Sequence, residues 1–278
     1  MYQELVNAVK SQKKLGDADF KKYLVKLQGD VKILREFYQK KTVGPIDYTD
    51  DDRQAAYLLT YFPHYYQTSR KVISSALAHF GHTVASLSPG PFVCFCGGPA
   101  PEHYALMCGL QDDTSRSAQQ ESYIVDHNDW AFARAVVRRV HKSTRVPLGR
   151  SVTNWTFDVL CKENLDKRRR AAVLSNASLI TFQNFANEVP AAQMAKLLEV
   201  IRHIRSLMKE GAIIVFHELP TYEQGNKIFE ALQQIFPNNN FPDKYKNILS
   251  EYETPPLIIS QYLLTGDARA FLNPKRDL

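Results

Sequence analysis

The segment Phe92–Glu102, FVCFCGGPAPE, decides the fold class of this 278-residue chain. It begins with an unbroken apolar run, 92–96, which is typical of a buried strand in a parallel sheet. Gly97 and Gly98 then predict a tight turn, because glycine lacks the side chain that restricts the backbone. Pro101 suits the first turn of a helix, where its missing N–H leaves no hydrogen bond unmade. The segment therefore predicts a strand, a turn and the start of a helix.

The same turn predicts a ligand site. The two glycines remove the side chains that would keep a ligand away from the backbone of Gly97, Gly98 and Pro99. A cofactor would then lie across the carboxyl end of the strand. The alternative is a plain structural turn, since a glycine pair alone is weak evidence of binding.

A second apolar run supports the ligand site. The segment 122–126, SYIVD, ends in Asp126. A carboxylate in this place accepts hydrogen bonds from both ribose hydroxyls of an adenosine-containing cofactor. The alternative is that Asp126 caps the next helix, where 127–129 also offers capping groups. The order strand, glycine turn, helix, strand and acid favours the cofactor.

Further along the chain, short apolar runs alternate with helical patterns. The runs are SVTNWTFDVL (151–160), ASLITFQ (177–183) and GAIIVFHE (211–218), and a long helical pattern is AAQMAKLLEVIRHIRSLMKE (191–210). Such alternation predicts an α/β fold, with a parallel sheet that carries helices on both faces. PPLIISQYLL (255–264) would add a further strand.

The beginning of the chain has a different pattern. Apolar residues recur there at three- and four-residue intervals, as in FKKYLVKLQGDVKILREFYQKK (20–41), which predicts helices. VGPIDYTDDD (43–52) would break these helices and start a new one near Asp51. We therefore predict two domains, an N-terminal helical extension over 1–81 and the sheet domain over 82–278.

One helix of the extension is predicted to carry Arg53, Tyr57, Tyr61 and Tyr65 on a single face, because they recur at four-residue spacing. Tyrosine rings attract cations, and an arginine pairs with a carboxylate. The face would then bind a cationic cofactor, with Arg53 on its carboxylate group. The alternative is that the face only docks the helix on the sheet domain. Both interpretations place the helix against that domain.

The composition is that of an ordinary globular protein, with 44% apolar and 23% charged residues. No apolar run is long enough to cross a bilayer, and the first residues do not resemble a secretory signal. We therefore expect a cytoplasmic protein with no membrane partner. The four cysteines lack a zinc-binding pattern, which predicts reduced, buried thiols and no metal. On a strand, Cys94 and Cys96 would face the same side.

The net charge of +6 is unevenly distributed. The densest basic groups are Arg138, Arg139, Lys142, Arg145 and Arg150, followed by Lys167–Arg170. Either they are solvated surface, or they bind a polyanion such as RNA. If the two groups meet at an edge of the sheet, they would form one patch for phosphates.

Taken together, these segments resemble the class I, Rossmann-like S-adenosylmethionine-dependent methyltransferases. CFCGGPAPE (94–102) is similar to the glycine-rich first motif of a subset of them, and SYIVD to the strand that ends in the ribose-binding acid. ASLITFQNFANEVP (177–190) resembles their fourth-strand segment with its Asn-Glu pair, here Asn187 and Glu188. GAIIVFHE is placed like the fifth strand, so that the likeness covers 92–218.

The resemblance implies where a cofactor and an acceptor would lie. The residues that it implicates are Gly97, Gly98 and Pro99 at the methionine part of S-adenosylmethionine, Asp126 at the ribose, Trp130 and Asp158 at the adenine, and Asn184 and Glu188 at the acceptor. In the helical extension, Tyr61 would pack on the sulfonium and Arg53 would pair with the cofactor carboxylate. Trp130 as ordinary helix packing, and Glu188 as a helix-start acid, are the alternatives.

The chain departs from the family pattern at the turn. Ala100 and Pro101 stand where many members have a third glycine, so the loop is expected to be stiffer. The acid that often precedes the glycines is replaced by cysteines. The Asn/Asp-Pro-Pro-Tyr sequence that holds a target amino group is missing, as is the cysteine of the enzymes that methylate cytosine C5. Those two subclasses are therefore not favoured.

The predicted function is methyl transfer from S-adenosylmethionine to an acceptor that the sequence does not identify, with RNA as one candidate. Such a transfer is an in-line displacement that depends mainly on alignment and exclusion of water. If the acceptor needs a base, Glu188, His217 and Tyr61 are candidates. One alternative is a methyltransferase-like protein without turnover that binds RNA or a protein partner. Another is a nicotinamide-dependent oxidoreductase, although the full GxGxxG turn is missing.

Overall fold

The sheet is parallel in the computed structural model, which describes residues 1–39, 46–79, 81–185, 188–217, 228, 231–232 and 234–235. Its strands are β1 (Phe92–Phe95), β2 (Glu121–Asp126), β3 (Ser151–Thr156), β4 (Leu179–Gln183) and β5 (Ile213–His217). They lie side by side in the order β3-β2-β1-β4-β5. Every neighbouring pair is parallel.

Helices precede the first strand and connect the others. They are α1 (Tyr2–Lys13), α2 (Asp17–Gln39), α3 (Asp51–Thr60), α4 (Phe62–His79), α5 (Pro101–Gly109), α6 (Thr114–Gln119), α7 (Ala131–Thr144), α8 (Arg168–Asn176) and α9 (Met194–Leu207). The predicted helices in the extension and the predicted helix start at Pro101 are therefore confirmed. The segment 255–264, predicted as a further strand, lies outside the described residues.

The two faces of the sheet are covered by different helices. On β1, Phe92 and Cys94 belong to a hydrophobic cluster with residues of α5 and α7, whereas Val93 and Phe95 belong to a second cluster with residues of α8 and α9. This follows from the pleat, which points successive side chains to opposite faces. The predicted α/β, Rossmann-like sheet with helices on both faces is confirmed.

The strand order reverses its direction between β1 and β4. The chain moves from β1 outward to β3, returns to the other side of β1 at β4, and then continues to β5. In a doubly wound sheet such a reversal opens a crevice at the carboxyl ends of the two strands, because the helices on either side of it lie on opposite faces. The fold therefore places a candidate ligand site at the ends of β1 and β4.

The N-terminal helices pack on the α5 and α7 face of the sheet. Leu5 and Val9 of α1 are fully buried in the same cluster as Val136 and Val140 of α7. That cluster extends without interruption from α1 to the sheet. The division into domains at 81 and 82 stays a prediction, but the helical extension is joined to the sheet by one continuous core.

The predicted helix with Arg53 and the three tyrosines is two helices. α3 ends at Thr60 and α4 begins at Phe62, with Tyr61 between them. Pro63 explains the break, because it has no N–H to donate to the carbonyl of Leu59 in a continuous helix. At the second position of α4 the missing donor costs nothing. Sequence spacing alone did not reveal this interruption.

No helix in the described part of the chain combines the length and the apolar character that crossing a bilayer requires. Helices on the surface of the fold bury one side. On α9, for example, Leu197, Val200, Ile201 and Ile204 are buried, and the residues between them are exposed or partly exposed. This spacing is that of a helix lying on a sheet.

Asp52 connects the first three helices. Its carboxylate accepts hydrogen bonds from Lys13 Nζ on α1 at 2.7 Å and from Tyr23 Oη on α2 at 2.9 Å. Lys26 Nζ, also on α2, is a third donor to it. Partial burial favours the neutral acid, but the three donors outweigh burial and hold the pKa of Asp52 at about 2. The pairing therefore favours the folded state whenever the carboxylate is ionised.

We expect Asp52→Asn to lower the melting temperature at pH 7. The folded pKa of about 2 lies below the ordinary aspartate value, so this stabilisation is complete above about pH 4 and is lost as the pH falls toward 2. Thermal melts of both proteins should therefore differ at pH 7 and converge near pH 2. Asp112→Asn, at an exposed carboxylate, is the matched control and should melt like the wild type. Equal melting temperatures at pH 7 would contradict the prediction.

Candidate active site

The chain leaves β1 through a turn that presses its backbone against β2. Gly97 has no room for a side chain, because a Cβ there would lie 2.9 Å from Ile124 Cγ2 and 3.2 Å from Cys94 O. Gly98 has a φ of +44°, in the left-handed region that favours glycine, and its Cα faces the ring of Trp130. The turn therefore requires a glycine at Gly97 and favours one at Gly98.

Residues on either side of the glycines also have left-handed backbones, with φ of +53° at Cys96 and +70° at Ala100. Cys96 packs against the hydrophobic cluster on the sheet face opposite to Cys94. The prediction that the two thiols face the same side is wrong, because the strand ends at Phe95 and the chain turns before the second cysteine. Ala100 takes a conformation that costs an L-residue roughly 1–2 kcal/mol, in the place where the resembled family has its third glycine.

Asp126, at the end of β2, holds this turn in place. Its Oδ2 accepts the N–H of Gly98 at 2.9 Å, and its Oδ1 accepts the N–H of Asn128 at 2.9 Å. The N-cap of α7 is Trp130, two residues beyond Asn128, so the carboxylate orders the loop rather than capping the helix. The helix-cap interpretation of Asp126 is therefore not what the structure shows.

Arg134 holds the other side of the same glycine. Its Nε donates to the carbonyl of Gly98 at 2.9 Å, and the residue is only 5% exposed. Burial lowers its pKa, and the nearby charges of Asp126 and Asp129 act in the opposite direction. The glycine thus has its N–H bound to an acid from β2 and its carbonyl bound to a base from α7. A backbone fixed from both sides is preorganised for a ligand.

A pocket of about 470 Å³, including its opening to solvent, lies beside the turn at the carboxyl ends of the central strands. It is lined by Tyr48, Tyr57, Tyr65, Cys96, Gly97, Gly98, Pro101, Asp126, His127, Asn128, Trp130, Gln183, Asn184 and Glu188. The pocket is the crevice that the reversal of strand order predicts.

Aromatic rings form the wall contributed by the N-terminal helices. The ring centroids of Tyr48 and Trp130 are 4.2 Å apart, and those of Tyr57 and Trp130 are 5.1 Å apart. Tyr65 continues the wall by stacking on Tyr57 at 6.1 Å. Trp130 is 3% exposed, and its Nε1–H has no partner among the described residues. This wall offers flat faces to an adenine ring or to a cation.

Polar groups after β4 form the opposite wall. Gln183 Nε2 lies 3.5 Å from the carbonyl of Tyr65 and 3.4 Å from His217 Nδ1. Asn184 has a φ of +53°, and its buried Oδ1 finds no donor in the described part of the structure. An unpaired amide oxygen beside a pocket can accept a hydrogen bond from a ligand.

The pocket is acidic. Asp126 and Glu188 both line it, and of the described residues around it none is a lysine or an arginine. Burial and the charge of Asp126 raise the pKa of Glu188 to about 8. The pocket therefore disfavours anions and suits a ligand that carries a positive charge.

Five of the residues predicted at the cofactor or the acceptor line this pocket. They are Gly97, Gly98, Asp126, Trp130 and Asn184. Glu188, implicated at the acceptor, lines it as well, whereas its predicted neighbour Asn187 is outside the described residues. Of the three candidate bases, Glu188, His217 and Tyr61, only Glu188 lines the pocket. Burial lowers the pKa of His217 to about 3.

Four predicted residues do not line the pocket, and their roles at the cofactor stay predictions. Arg53 Nε lies 3.5 Å from Asp30 Oδ1, and its Nη1 donates to the carbonyl of Asp47. Tyr61 packs against the aromatic wall, with its ring centroid 5.5 Å from that of Tyr57. The other two are Pro99 and Asp158, and the Asp158 carboxylate accepts the N–H of Leu160 at 2.9 Å.

Sequence reasoning missed two main contributors. Tyr48 lies in the segment that was interpreted only as a helix breaker, and Gln183 is the last residue of an apolar strand. Neither has a local signal, since each reaches the pocket through tertiary packing. The end of a strand beside the glycine turn was the available indication for Gln183.

The two basic groups lie on different faces of the sheet. Arg138, Arg139, Lys142 and Arg145 are exposed along and just after the second half of α7, which packs on the α1–α5 side. Arg168–Arg170 begin α8, which packs on the other face. A joined basic patch at an edge of the sheet and an RNA partner both stay predictions.

No protein-family model matches the sequence. No curated protein matches it either. Among solved structures, the chain is similar to the apo structure of CalS11, a TDP-rhamnose 3'-O-methyltransferase and an enzyme in calicheamicin biosynthesis. The similarity covers 74% of this chain and 83% of that chain, with 12% identity and a TM-score of 0.40. A likeness this distant gives no evidence about function, which therefore has to be inferred from the pocket.

The glycine turn predicts opposite effects for two exchanges of glycine and alanine. Gly97→Ala should destabilise the protein by about 1–3 kcal/mol, because the added methyl group collides with Ile124 and a strand carbonyl. Ala100→Gly should leave stability unchanged or raise it by up to about 1 kcal/mol, because glycine removes the left-handed strain. Urea unfolding of the two variants and the wild type measures both effects. A strongly destabilised Ala100→Gly protein would show that the strain is not there.

Proposed function

We propose that this chain is an S-adenosylmethionine-dependent methyltransferase. The observation that carries the proposal is the acidic, aromatic pocket directly beside a glycine turn at the point where the strand order reverses. S-adenosylmethionine offers an adenine to stack, two ribose hydroxyls to bind and a sulfonium charge to neutralise. Tyr48, Trp130 and Asp126 supply the corresponding groups on the protein.

The charge of the pocket separates this proposal from a dinucleotide oxidoreductase. The pyrophosphate of a nicotinamide cofactor carries negative charges and needs donors or cations at the glycine turn. Here Asp126 already accepts the N–H of Gly98, and Glu188 is the second acid of the pocket. The charge of Asp126, with no cation among the described lining residues, opposes a pyrophosphate and favours a sulfonium.

The position of the pocket also suits the chemistry of methyl transfer. The reaction needs a donor and a nucleophile held in line, in a site from which water is excluded. The aromatic wall covers one side of the pocket, and the polar groups at and after the end of β4, Gln183 and Asn184, line the other side. An acceptor entering between them would meet the methyl group with Asn184 and Glu188 beside it. The acceptor itself is left unassigned.

The proposal predicts measurable binding of S-adenosylmethionine by calorimetry. NAD should bind far more weakly or not at all. Asp126→Ala should weaken S-adenosylmethionine binding by about 1–3 kcal/mol, because it removes charge-assisted hydrogen bonds to the ribose. Asp112→Ala, at an exposed acid, is the control and should bind like the wild type.

NAD binding that is tighter than S-adenosylmethionine binding, or no binding of S-adenosylmethionine, would reject the proposal. Wild-type affinity in Asp126→Ala would reject the role of Asp126 at the ribose. Since Asp126 also holds Gly98, each variant is first compared with the wild type in a thermal melt. A folded variant with lowered affinity supports the assignment.

A further inference from the structure

Glu188 is a carboxyl group in the pocket without a counter-ion. No described residue gives its side chain a hydrogen bond or an ion pair, and it is only partly exposed. The charge of Asp126, which has the same sign, acts on it and raises its pKa. Asp126 has the guanidinium of Arg134 nearby, whereas no described cation stabilises the ionised form of Glu188, so its arrangement is incomplete.

We propose that Glu188 makes the pocket select a cationic sulfonium cofactor over its neutral demethylated product, which rests on the proposed function. The two molecules share their adenine, ribose and amino-acid groups and differ by one methyl group and one positive charge. The contacts of Asp126 and Trp130 are available to both. The carboxyl of Glu188 distinguishes them, because its negative charge attracts the sulfonium and gives the neutral thioether no such gain.

The surroundings of Glu188 strengthen this discrimination. The tyrosine wall, with Tyr57 and Tyr65 on the pocket surface, stabilises a cation through its ring faces and gives a neutral thioether no such gain. The site is partly closed, so water screens the charges less than at an open surface. Product would therefore leave more readily than the donor, which favours turnover.

The same arrangement predicts a proton released on binding. Burial and Asp126 raise the pKa of Glu188 to about 8 in the empty pocket, so the carboxyl is mostly protonated at pH 7. A sulfonium favours the ionised form, and its affinity should therefore rise as the pH increases from about 6 to about 8 and level off above. The neutral product should show no such rise. The other titratable groups on the pocket are Cys96, Asp126, His127 and the three tyrosines.

The test is calorimetry of S-adenosylmethionine and S-adenosylhomocysteine at pH 7, in two buffers of different ionisation enthalpy. The wild type should bind S-adenosylmethionine with an affinity at least about tenfold higher than that for S-adenosylhomocysteine. It should release a proton when S-adenosylmethionine binds and none when S-adenosylhomocysteine binds. Glu188→Gln keeps the shape of the side chain and should reduce the preference to within about threefold, without proton release. Glu199→Gln makes the same change on the exposed side of α9 and should behave like the wild type.

Proton release that persists in Glu188→Gln would come from another group and overturn the inference. Equal affinities of the wild type for the two molecules would overturn it as well. If neither molecule binds, the proposed function fails and the inference with it. If Glu188→Gln does not fold, the pH dependence of the two wild-type affinities tests the inference. A rise with pH for S-adenosylmethionine alone supports it, and a rise for both molecules or for neither overturns it.

Discussion

The hydrogen bond from the Gly98 N–H to the Asp126 carboxylate is the interaction on which the rest of the site depends. It is buried and charge-assisted, and it ties the turn after β1 to the end of β2. The second carboxylate oxygen orders the loop after β2 through Asn128. One side chain thus shapes both loops that border the pocket. Without it, the left-handed turn would lose the contact that compensates for its strain.

The helical extension is coupled to these loops by Gln54, a buried residue of α3. Its Nε2 donates to the carbonyls of Tyr48 and Asp129, at 2.7 and 2.9 Å. Its Oε1 accepts the N–H of Ala133, in the first turn of α7, where the N-cap Trp130 offers no side-chain hydrogen bond. A residue of the extension therefore caps a helix of the sheet domain and positions the aromatic wall at the same time. This explains why the extension cannot be treated as a loosely attached cover.

The sequence predicted those parts of the site that local patterns determine. A buried strand, a glycine turn and an acid at the end of the next strand are specified by neighbouring residues, so Gly97 and Asp126 were found. Arg53 and Tyr57 share α3 as predicted, but the contact of Arg53 with Asp30 on α2 joins distant segments and has no signal in spacing. Tyr48 and Gln54 were missed for the same reason. The helix break at Pro63 was visible in the sequence and was overlooked because the four-residue spacing continues through it.

The buried charges around the turn explain why the pocket is ready for a cation. Burial raises the pKa of Glu102 to about 8 at the start of α5, and Asp126 adds to the effect, as it does for Glu188. Both glutamates are then mostly protonated at neutral pH. The negative charge of Asp126 is balanced by the nearby guanidinium of Arg134, which lies behind the turn and does not line the pocket. The protein interior is therefore close to neutral while the site is empty, and the carboxyl of Glu188 is the group on the pocket surface that can ionise when a positive ligand enters. An anionic ligand would meet no cation on the pocket surface, since no arginine or lysine is among its described lining residues.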